Sequence, residues 1–143
     1  MASGSGRTHA GLLFGLRSLG IAIPVEGVAV RRSADLQIPR IVNCCRQIAD
    51  LTGLVNPVHD GEIVVTDAYL APGYGKLGPG AGSALRRIAV TEGIAVDPVY
   101  TAKALAACLD WAGAASPDER ALFIHTGGTP ALFAYGDAVL RET

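Results

Sequence analysis

Apolar residues recur every three to four positions in four stretches of the chain, which is the period of an amphipathic helix. The first stretch stops before Gly20 and the second before Gly53, and glycine commonly ends helices. The apolar positions are Leu12, Leu16 and Leu19, then Ile41, Cys44, Cys45, Ile48 and Leu51, then Leu85, Ile88 and Ala89, and last Leu105, Cys108, Leu109 and Ala112. The pattern predicts four helices.

Short runs rich in β-branched or apolar residues lie between these helices and predict strands at residues 21–30, 63–65 and 121–124. Alternating strands and helices are typical of an α/β fold with a mainly parallel sheet flanked by helices. A glycine-rich loop at residues 3–8 has only Met1 and Ala2 before it, whereas such loops normally follow a buried strand. We therefore expect a truncated part of a larger α/β fold.

Capping residues, prolines and glycines indicate where several helices and loops begin. Ser33 and Asp35 are candidate N-caps of the second helix, and Pro39 is tolerable only in its first turn. Residues 72–75 and 78–80 are rich in glycine and proline and predict loops.

Length and charge narrow the functional class. The 143 residues, half of them hydrophobic, suit one partial domain over residues 1–143. A net charge of −1 with scattered arginines argues against a nucleic-acid partner. There is no signal peptide pattern or long apolar run, so neither secretion nor membrane insertion is expected. Cys44, Cys45 and Cys108 fit neither a disulfide framework nor a metal site, and we expect a cytoplasmic protein without a metal.

Two glycine-rich turns carry the candidate chemistry. The loop at residues 3–8 leads directly into the first helix, and such entries bind phosphate because backbone N–H groups and the helix dipole face the anion. A flexible leader is the alternative for so short a Gly/Ser stretch. The second turn, residues 125–130, follows the third predicted strand and could equally be a plain connection. Tyr74 and Tyr100, beside Gly or Pro, are more often packing aromatics than catalytic groups.

Three segments together resemble a known family. They read SGSGRTHAGL at residues 3–12, TEGI followed by DPVYTAKA at 91–104, and FIHTGGTPALF at 123–133. They look like the C-terminal part of the D-cysteine desulfhydrase and 1-aminocyclopropane-1-carboxylate deaminase family, which are pyridoxal-phosphate enzymes of the tryptophan synthase β-subunit fold. The resemblance runs over nearly the whole chain. One departure is Arg7, where the family usually has glycine, and its side chain could clash with the phosphate or add a favourable charge.

The resemblance implies roles for individual residues. Tyr100 matches an active-site tyrosine near the cofactor ring, and Tyr74 resembles a second pocket tyrosine. Residues matched to cofactor binding are Ser5, Gly6 and Thr8 for the phosphate, Thr101 for the pyridine nitrogen, and Thr126 and Gly127 in the second turn.

Two of these positions bear on the reaction. In the deaminases position 101 resembles a glutamate and position 126 a leucine. A threonine holds the pyridine nitrogen protonated less well than a glutamate, yet a weaker electron sink suffices to eliminate a good thiolate leaving group. Thr101 and Thr126 therefore favour α,β-elimination of D-cysteine to pyruvate, ammonia and hydrogen sulfide, with the deaminase as the alternative.

The family's Schiff-base lysine lies in an N-terminal half that these residues do not match. Lys76 and Lys103 are the only lysines, and Lys103 is interpreted as a surface or capping residue. We therefore expect a chain that is inactive alone, acting on a small amino-acid substrate with an N-terminal half or as a homo-oligomer. A non-catalytic fragment is the other alternative.

Overall fold

Three short parallel strands organise the structure, a computed structural model that describes residues 1–141. They are β1 (Ala2–Ser3), β2 (Glu26–Ala29) and β3 (Val64–Thr66), in the order β1-β2-β3. Ala2 lies opposite Val28, and Glu26 lies opposite Val64. A helix connects β1 to β2 and another connects β2 to β3, which is the connection that parallel strands require. The predicted parallel α/β class is confirmed.

Helices surround this sheet, and the four predicted from periodicity are all present. They are α1 (Arg7–Ser18), α2 (Ala34–Thr52), α3 (Pro79–Glu92) and α4 (Thr101–Ala114), followed by a short α5 (Gly136–Arg141). Two 3₁₀ segments cover Asp60–Glu62 and Thr129–Tyr135. Gly53 ends α2 at a φ of 71°, a backbone conformation that glycine adopts without a steric penalty.

The core has two layers, one on each face of the sheet. On one face α1 and α2 pack together around Leu13, Ile41 and Cys45. On the other face Val28 and Val30 of the β2 region pack against Ala104 of α4. Helix α3 covers the far side of α4 through a set of small and apolar residues, Ala81, Ala84, Leu85, Ala102 and Leu105. Helix α4 is thus the central helix of its side.

The strand expected over residues 21–30 is shorter than predicted. Only Glu26–Ala29 forms β2, and Ile21 and Ile23 are exposed. Pro24 cannot donate to a ladder. The carbonyl oxygens of Ile21 and Ile23 instead accept hydrogen bonds from Arg17 Nη1, at 2.6 and 3.2 Å, so the apolar run continues as loop.

The start of α2 differs from the prediction in two ways. Pro39 lies at its sixth residue, past the first turn, because the helix already begins at Ala34. Ser33 holds the N-cap position without a side-chain bond. The carboxylate of Asp67, which follows β3, instead accepts the Ala34 N–H at 2.8 Å and so caps the start of α2 from outside the helix. Asp35 is exposed in the first turn.

The third predicted strand, residues 121–124, forms no strand in the described chain. A strand exists only where a neighbour shares its ladder, and β1, β2 and β3 pair only with one another. Leu122 is exposed, while Phe123 packs against the α4 side of the core. The segment is extended loop leading to the second glycine turn.

The three cysteines are free thiols. Burial raises the pKa of Cys45 to about 11, so its thiol stays protonated and poorly nucleophilic. None of the described helices has the length and hydropathy needed to cross a bilayer.

Candidate functional site

The glycine-rich loop joins β1 to α1 and presents the start of that helix. Gly6 is the N-cap residue with a φ of 86°, and the N–H groups of the first turn have no partner within the helix. A Cβ on Gly4 would lie 3.4 Å from Val30 Cγ2 and 3.7 Å from Tyr100 Cε1. The loop therefore runs directly beside the Tyr100 ring. Ser5, Arg7 and Thr8 are exposed, and Ser5 Oγ accepts the Arg7 N–H at 3.3 Å.

A chain of polar side chains supports the loop from within the α1–α2 layer. Arg32 Nη1 donates to the Gly4 carbonyl oxygen at 2.7 Å and to Gln37 Oε1 at 2.5 Å. Gln37 Nε2 donates to Ser3 Oγ at 2.9 Å, and Ser3 Oγ lies 3.4 Å from His9 Nδ1. Ser3, His9 and Gln37 are fully buried, so these contacts replace water. Sequence reasoning missed this network.

His9 is held neutral by the same burial. Desolvation lowers the pKa of His9 from 6.5 to about 4. Its ring packs against Gly27, where a Cβ would lie 2.3 Å from His9 Nδ1. Only glycine at position 27 leaves space for the imidazole between α1 and the sheet.

Tyr74 and Tyr100 form a hydroxyl pair. Their hydroxyl oxygens are 2.6 Å apart, and their rings meet edge to face with centroids 6.1 Å apart. The Arg31 guanidinium lies 5.3 Å from the centre of the Tyr74 ring, a cation–π distance. The hydrogen bond to Tyr74, followed by burial, raises the pKa of Tyr100 to about 12. Tyr100 therefore keeps its proton at neutral pH and can donate it in a hydrogen bond.

The start of α4 is organised by a buried carboxylate, that of Asp97. Its Oδ2 accepts the N–H groups of Val99 and Tyr100 at 2.8 and 2.9 Å. Its Oδ1 accepts the Thr101 N–H at 2.9 Å and the Thr101 hydroxyl at 2.7 Å, and Thr101 Oγ1 in turn accepts the Asp97 N–H at 2.8 Å. The Thr101 hydroxyl has thus used its proton on Asp97 and keeps only acceptor capacity.

The second glycine turn packs against this carboxylate. A Cβ on Gly128 would lie 2.5 Å from Asp97 Oδ1, and Gly127 and Gly128 have φ values of 96° and 97°. His125 Nδ1 accepts the Gly127 N–H at 3.2 Å. Thr126 is exposed between them. The fold therefore gathers the glycine loop, the tyrosine pair, Thr101 and the second turn around the start of α4.

The interpretation of Lys103 as a surface or capping residue is wrong. Lys103 is completely buried, and its Nζ donates to the carbonyl oxygens of Leu70 and Gly73 at 2.8 Å each. Lys76 is exposed in the loop beyond Gly75. Within residues 1–141 no group of three His, Cys, Asp or Glu side chains is arranged to hold a metal ion.

Comparison with known proteins decides the family. A family model described as pyridoxal-phosphate dependent enzyme matches residues 1–127. The chain belongs to this family. It is 43% identical over 137 residues to D-cysteine desulfhydrases of Yersinia pestis (strain Pestoides F) and Yersinia pseudotuberculosis serotype I, covering 94% of this chain and 41% of each relative. A crystal structure of an ACC deaminase homologue superposes with a TM-score of 0.88 at 37% identity, covering 99% of this chain and 42% of that one.

The chain thus spans about two fifths of the length of the relatives it matches. Its fold is that of the tryptophan synthase β-like members of the family, as predicted.

The residues present fit part of the cofactor. The Gly4–Gly6 loop and the α1 N-terminus suit the phosphate, and the Tyr100 ring borders the loop where an aromatic ring could lie. Neither lysine suits the covalent linkage: Lys103 is bonded to two carbonyl oxygens and Lys76 is exposed.

Proposed function

We propose that this chain supplies the phosphate-binding loop and the tyrosine pair of a D-cysteine desulfhydrase acting in the cytoplasm. In that reaction D-cysteine and water become pyruvate, ammonia and hydrogen sulfide, with cleavage of the carbon–sulfur bond. The observation that carries the proposal is the Tyr100 ring, 3.7 Å from the Cβ position of Gly4 and hydrogen-bonded to Tyr74. A proton-bearing group next to the loop that we propose binds the phosphate supports this role. The 43% identity to D-cysteine desulfhydrases supports the choice of substrate.

Each group has a part in this proposal. The backbone N–H groups of Ser5 and Gly6 and the side chain of Thr8 bind the cofactor phosphate at the start of α1. Pyridoxal phosphate, when bound, withdraws electrons from the substrate and so acidifies its α-carbon. The Tyr100 hydroxyl, whose proton stays on at neutral pH, donates a hydrogen bond to the departing sulfur, and the hydrogen bond to the Tyr74 hydroxyl orients Tyr100 for this contact.

Thr101 and Thr126 set the preference for elimination. We propose that Thr101 faces the pyridine nitrogen with an oxygen that can only accept, since its proton is held by Asp97. A glutamate at position 101 would put a second carboxylate beside the buried Asp97, and two negative charges so close repel each other. The likeness to an ACC deaminase homologue makes ring opening of 1-aminocyclopropane-1-carboxylate the second candidate.

The isolated chain is proposed to be inactive. Lys103 is buried with its amine bonded to two carbonyl oxygens, and Lys76 is exposed in a loop. The lysine that binds the cofactor must therefore come from outside these 143 residues. An N-terminal half, fused or separate, is the expected source, and the assembled enzyme is a candidate homo-oligomer.

The test joins this chain to the N-terminal part of a Yersinia D-cysteine desulfhydrase and measures sulfide from D-cysteine and ammonia from the cyclopropane substrate. We expect sulfide release to dominate and to fall by about 100-fold or more in Tyr100→Phe, on the order of what loss of one hydrogen-bond donor to a developing negative charge removes. The control is Tyr69→Phe, which removes a hydroxyl bonded to Asp110. Thr101→Glu with Thr126→Leu should lower sulfide release. Efficient ring opening with both threonines intact would refute the proposed substrate.

A further inference from the structure

Lys103 is a buried cation whose described contacts are backbone carbonyl oxygens. It lies on the first turn of α4, and its Nζ reaches the carbonyl oxygens of Leu70 and Gly73 at 2.8 Å each. Burying an ammonium group is unfavourable unless its hydrogen bonds are replaced. The burial lowers the pKa of Lys103, as that cost requires. A lysine that is buried at this cost in free energy is expected to have a structural or functional role.

The two carbonyl groups belong to the segment that carries Tyr74, residues 70–75. A second bond holds the other end of this segment, from the Tyr135 hydroxyl to the Gly75 carbonyl oxygen at 2.6 Å. Gly73 and Gly75 flank Tyr74 with φ values of 138° and 70°. The backbone on either side of Tyr74 is therefore in conformations that need glycine, and the carbonyl oxygen of each of these glycines accepts a hydrogen bond from a side chain.

Apolar burial does not fix Tyr74, because 46% of the residue is exposed. Its hydroxyl nevertheless lies 2.6 Å from the hydroxyl of Tyr100. Lys103 follows Tyr100 by three residues, so the helix start that carries Tyr100 also carries the group that grips the Tyr74 segment. One rigid element thereby sets the distance between the two hydroxyl groups.

We infer that Lys103 and Tyr135 are positioning residues that clamp residues 70–75 and so keep the Tyr74 hydroxyl in hydrogen-bond contact with Tyr100. The importance of that contact for catalysis rests on the proposed function, whereas the clamp itself does not. A substrate-binding or cofactor-binding task for Lys103 is not needed to explain its burial.

The experiment follows the ionisation of Tyr100 in the 143-residue chain without cofactor or substrate. Tyrosine labelled with ¹³C at Cζ is titrated by NMR, the Tyr100 signal is identified by its loss in Tyr100→Phe, and circular dichroism checks the fold at each pH. The charged and titratable groups around Tyr100 are Tyr74, Asp97 and Arg31, and they stay unchanged in the clamp variants. A neutral Lys103 amine keeps two N–H donors, so its deprotonation leaves the clamp in place.

Tyr74→Phe sets the scale, and it should lower the pKa of Tyr100 from about 12 toward the ordinary value of 10. Lys103→Met should lower it as well, and Lys103→Met combined with Tyr74→Phe should add nothing to Tyr74→Phe alone. The matched control Lys76→Met removes the exposed lysine of the same loop and should leave the pKa at about 12.

The clamp is overturned if Lys103→Met folds and the pKa of Tyr100 stays at about 12. A residue that only stabilises the fold would give that result together with a lower melting temperature. If Lys103→Met does not fold, Tyr135→Phe decides, because it removes only the hydroxyl bonded to Gly75. A lowered pKa in Tyr135→Phe supports the clamp, and an unchanged one refutes it. If the clamp variants respond as expected in the 143-residue chain and the fusion with the Yersinia N-terminal part shows no lyase activity, that result counts against the proposed function alone.

Discussion

Replacing Asp97 by asparagine changes one heavy atom of a side chain that accepts four hydrogen bonds at the start of α4. In either orientation the new NH₂ group faces at least one backbone N–H that its carboxylate oxygen had served. Asp97 is fully buried, so water cannot replace the lost acceptor. With hydrogen bonds to a charged group worth about 1.5–3 kcal/mol each, we expect Asp97→Asn to lower the free energy of unfolding by about 3 kcal/mol.

Asp97→Ala removes every acceptor at once and leaves three buried backbone N–H groups, those of Val99, Tyr100 and Thr101, without their partner. We expect a loss of about 5 kcal/mol, the order of the whole stability of many domains. Chemical denaturation followed by circular dichroism measures both variants. The matched control is Asp35→Asn, an exposed carboxylate in the first turn of α2, which should cost less than about 1 kcal/mol.

Similar losses in Asp97→Asn and Asp35→Asn would contradict this prediction. So would an Asp97→Ala chain that unfolds at the denaturant midpoint of the unchanged protein. Either outcome would mean that the N–H groups at the start of α4 find other acceptors, and that the carboxylate does not organise the segment that carries Tyr100.

Four further predictions concern other parts of the chain. The pKa of His9 is about 4 in the folded state and near 6.5 in the unfolded state, so the unfolded state binds more protons between these pH values. The free energy of unfolding should therefore fall by up to about 3 kcal/mol from pH 7 to pH 4. His9→Asn should reduce this pH dependence, measured as denaturation midpoints. Gly27→Ala should destabilise by about 2 kcal/mol, since its Cβ would overlap the His9 ring. Gly11→Ala in α1, where a Cβ meets nothing within 4 Å, should stabilise by about 0.5–1 kcal/mol in the same assay. Borohydride reduction of the chain with pyridoxal phosphate should label neither Lys76 nor Lys103 stoichiometrically, and specific labelling of one lysine in peptide mapping would contradict the placement of both.

The four long helices and the fold class followed from periodicity because each of these helices shows apolar residues at helical spacing, α4 only from Leu105 onward. Helix α4 begins with six consecutive buried residues, Thr101 to Ala106. A helix buried on all sides has no polar face to identify, so the sequence could not show that Lys103 points inward. The strand at 121–124 was mispredicted for a related reason, since local pattern shows an apolar run and not whether a neighbouring strand is there to pair with it.

For the candidate site, too, the sequence showed the motifs but not the contacts between them. The glycine turns and both tyrosines were visible as motifs, yet the hydroxyl pair joins residues 26 positions apart and depends on the tertiary fold. The support beneath the loop did leave a signal. Gln37 stands four positions before Ile41 on the apolar stripe of α2, and a polar residue on a buried stripe indicates a hydrogen-bonded partner inside.

The bond from Arg32 to the Gly4 carbonyl oxygen also orients an atom that it does not touch. A trans peptide is planar, so its carbonyl oxygen and the following N–H point in opposite directions. By holding the oxygen, Arg32 turns the N–H of Ser5 to the other side of the loop. A rotation of this peptide would replace a donor by a negatively polarised oxygen, and Gly4, without a Cβ, offers little steric resistance to it. The polarity of the loop surface on the Ser5 N–H side is thus decided by an arginine on the opposite side of the backbone.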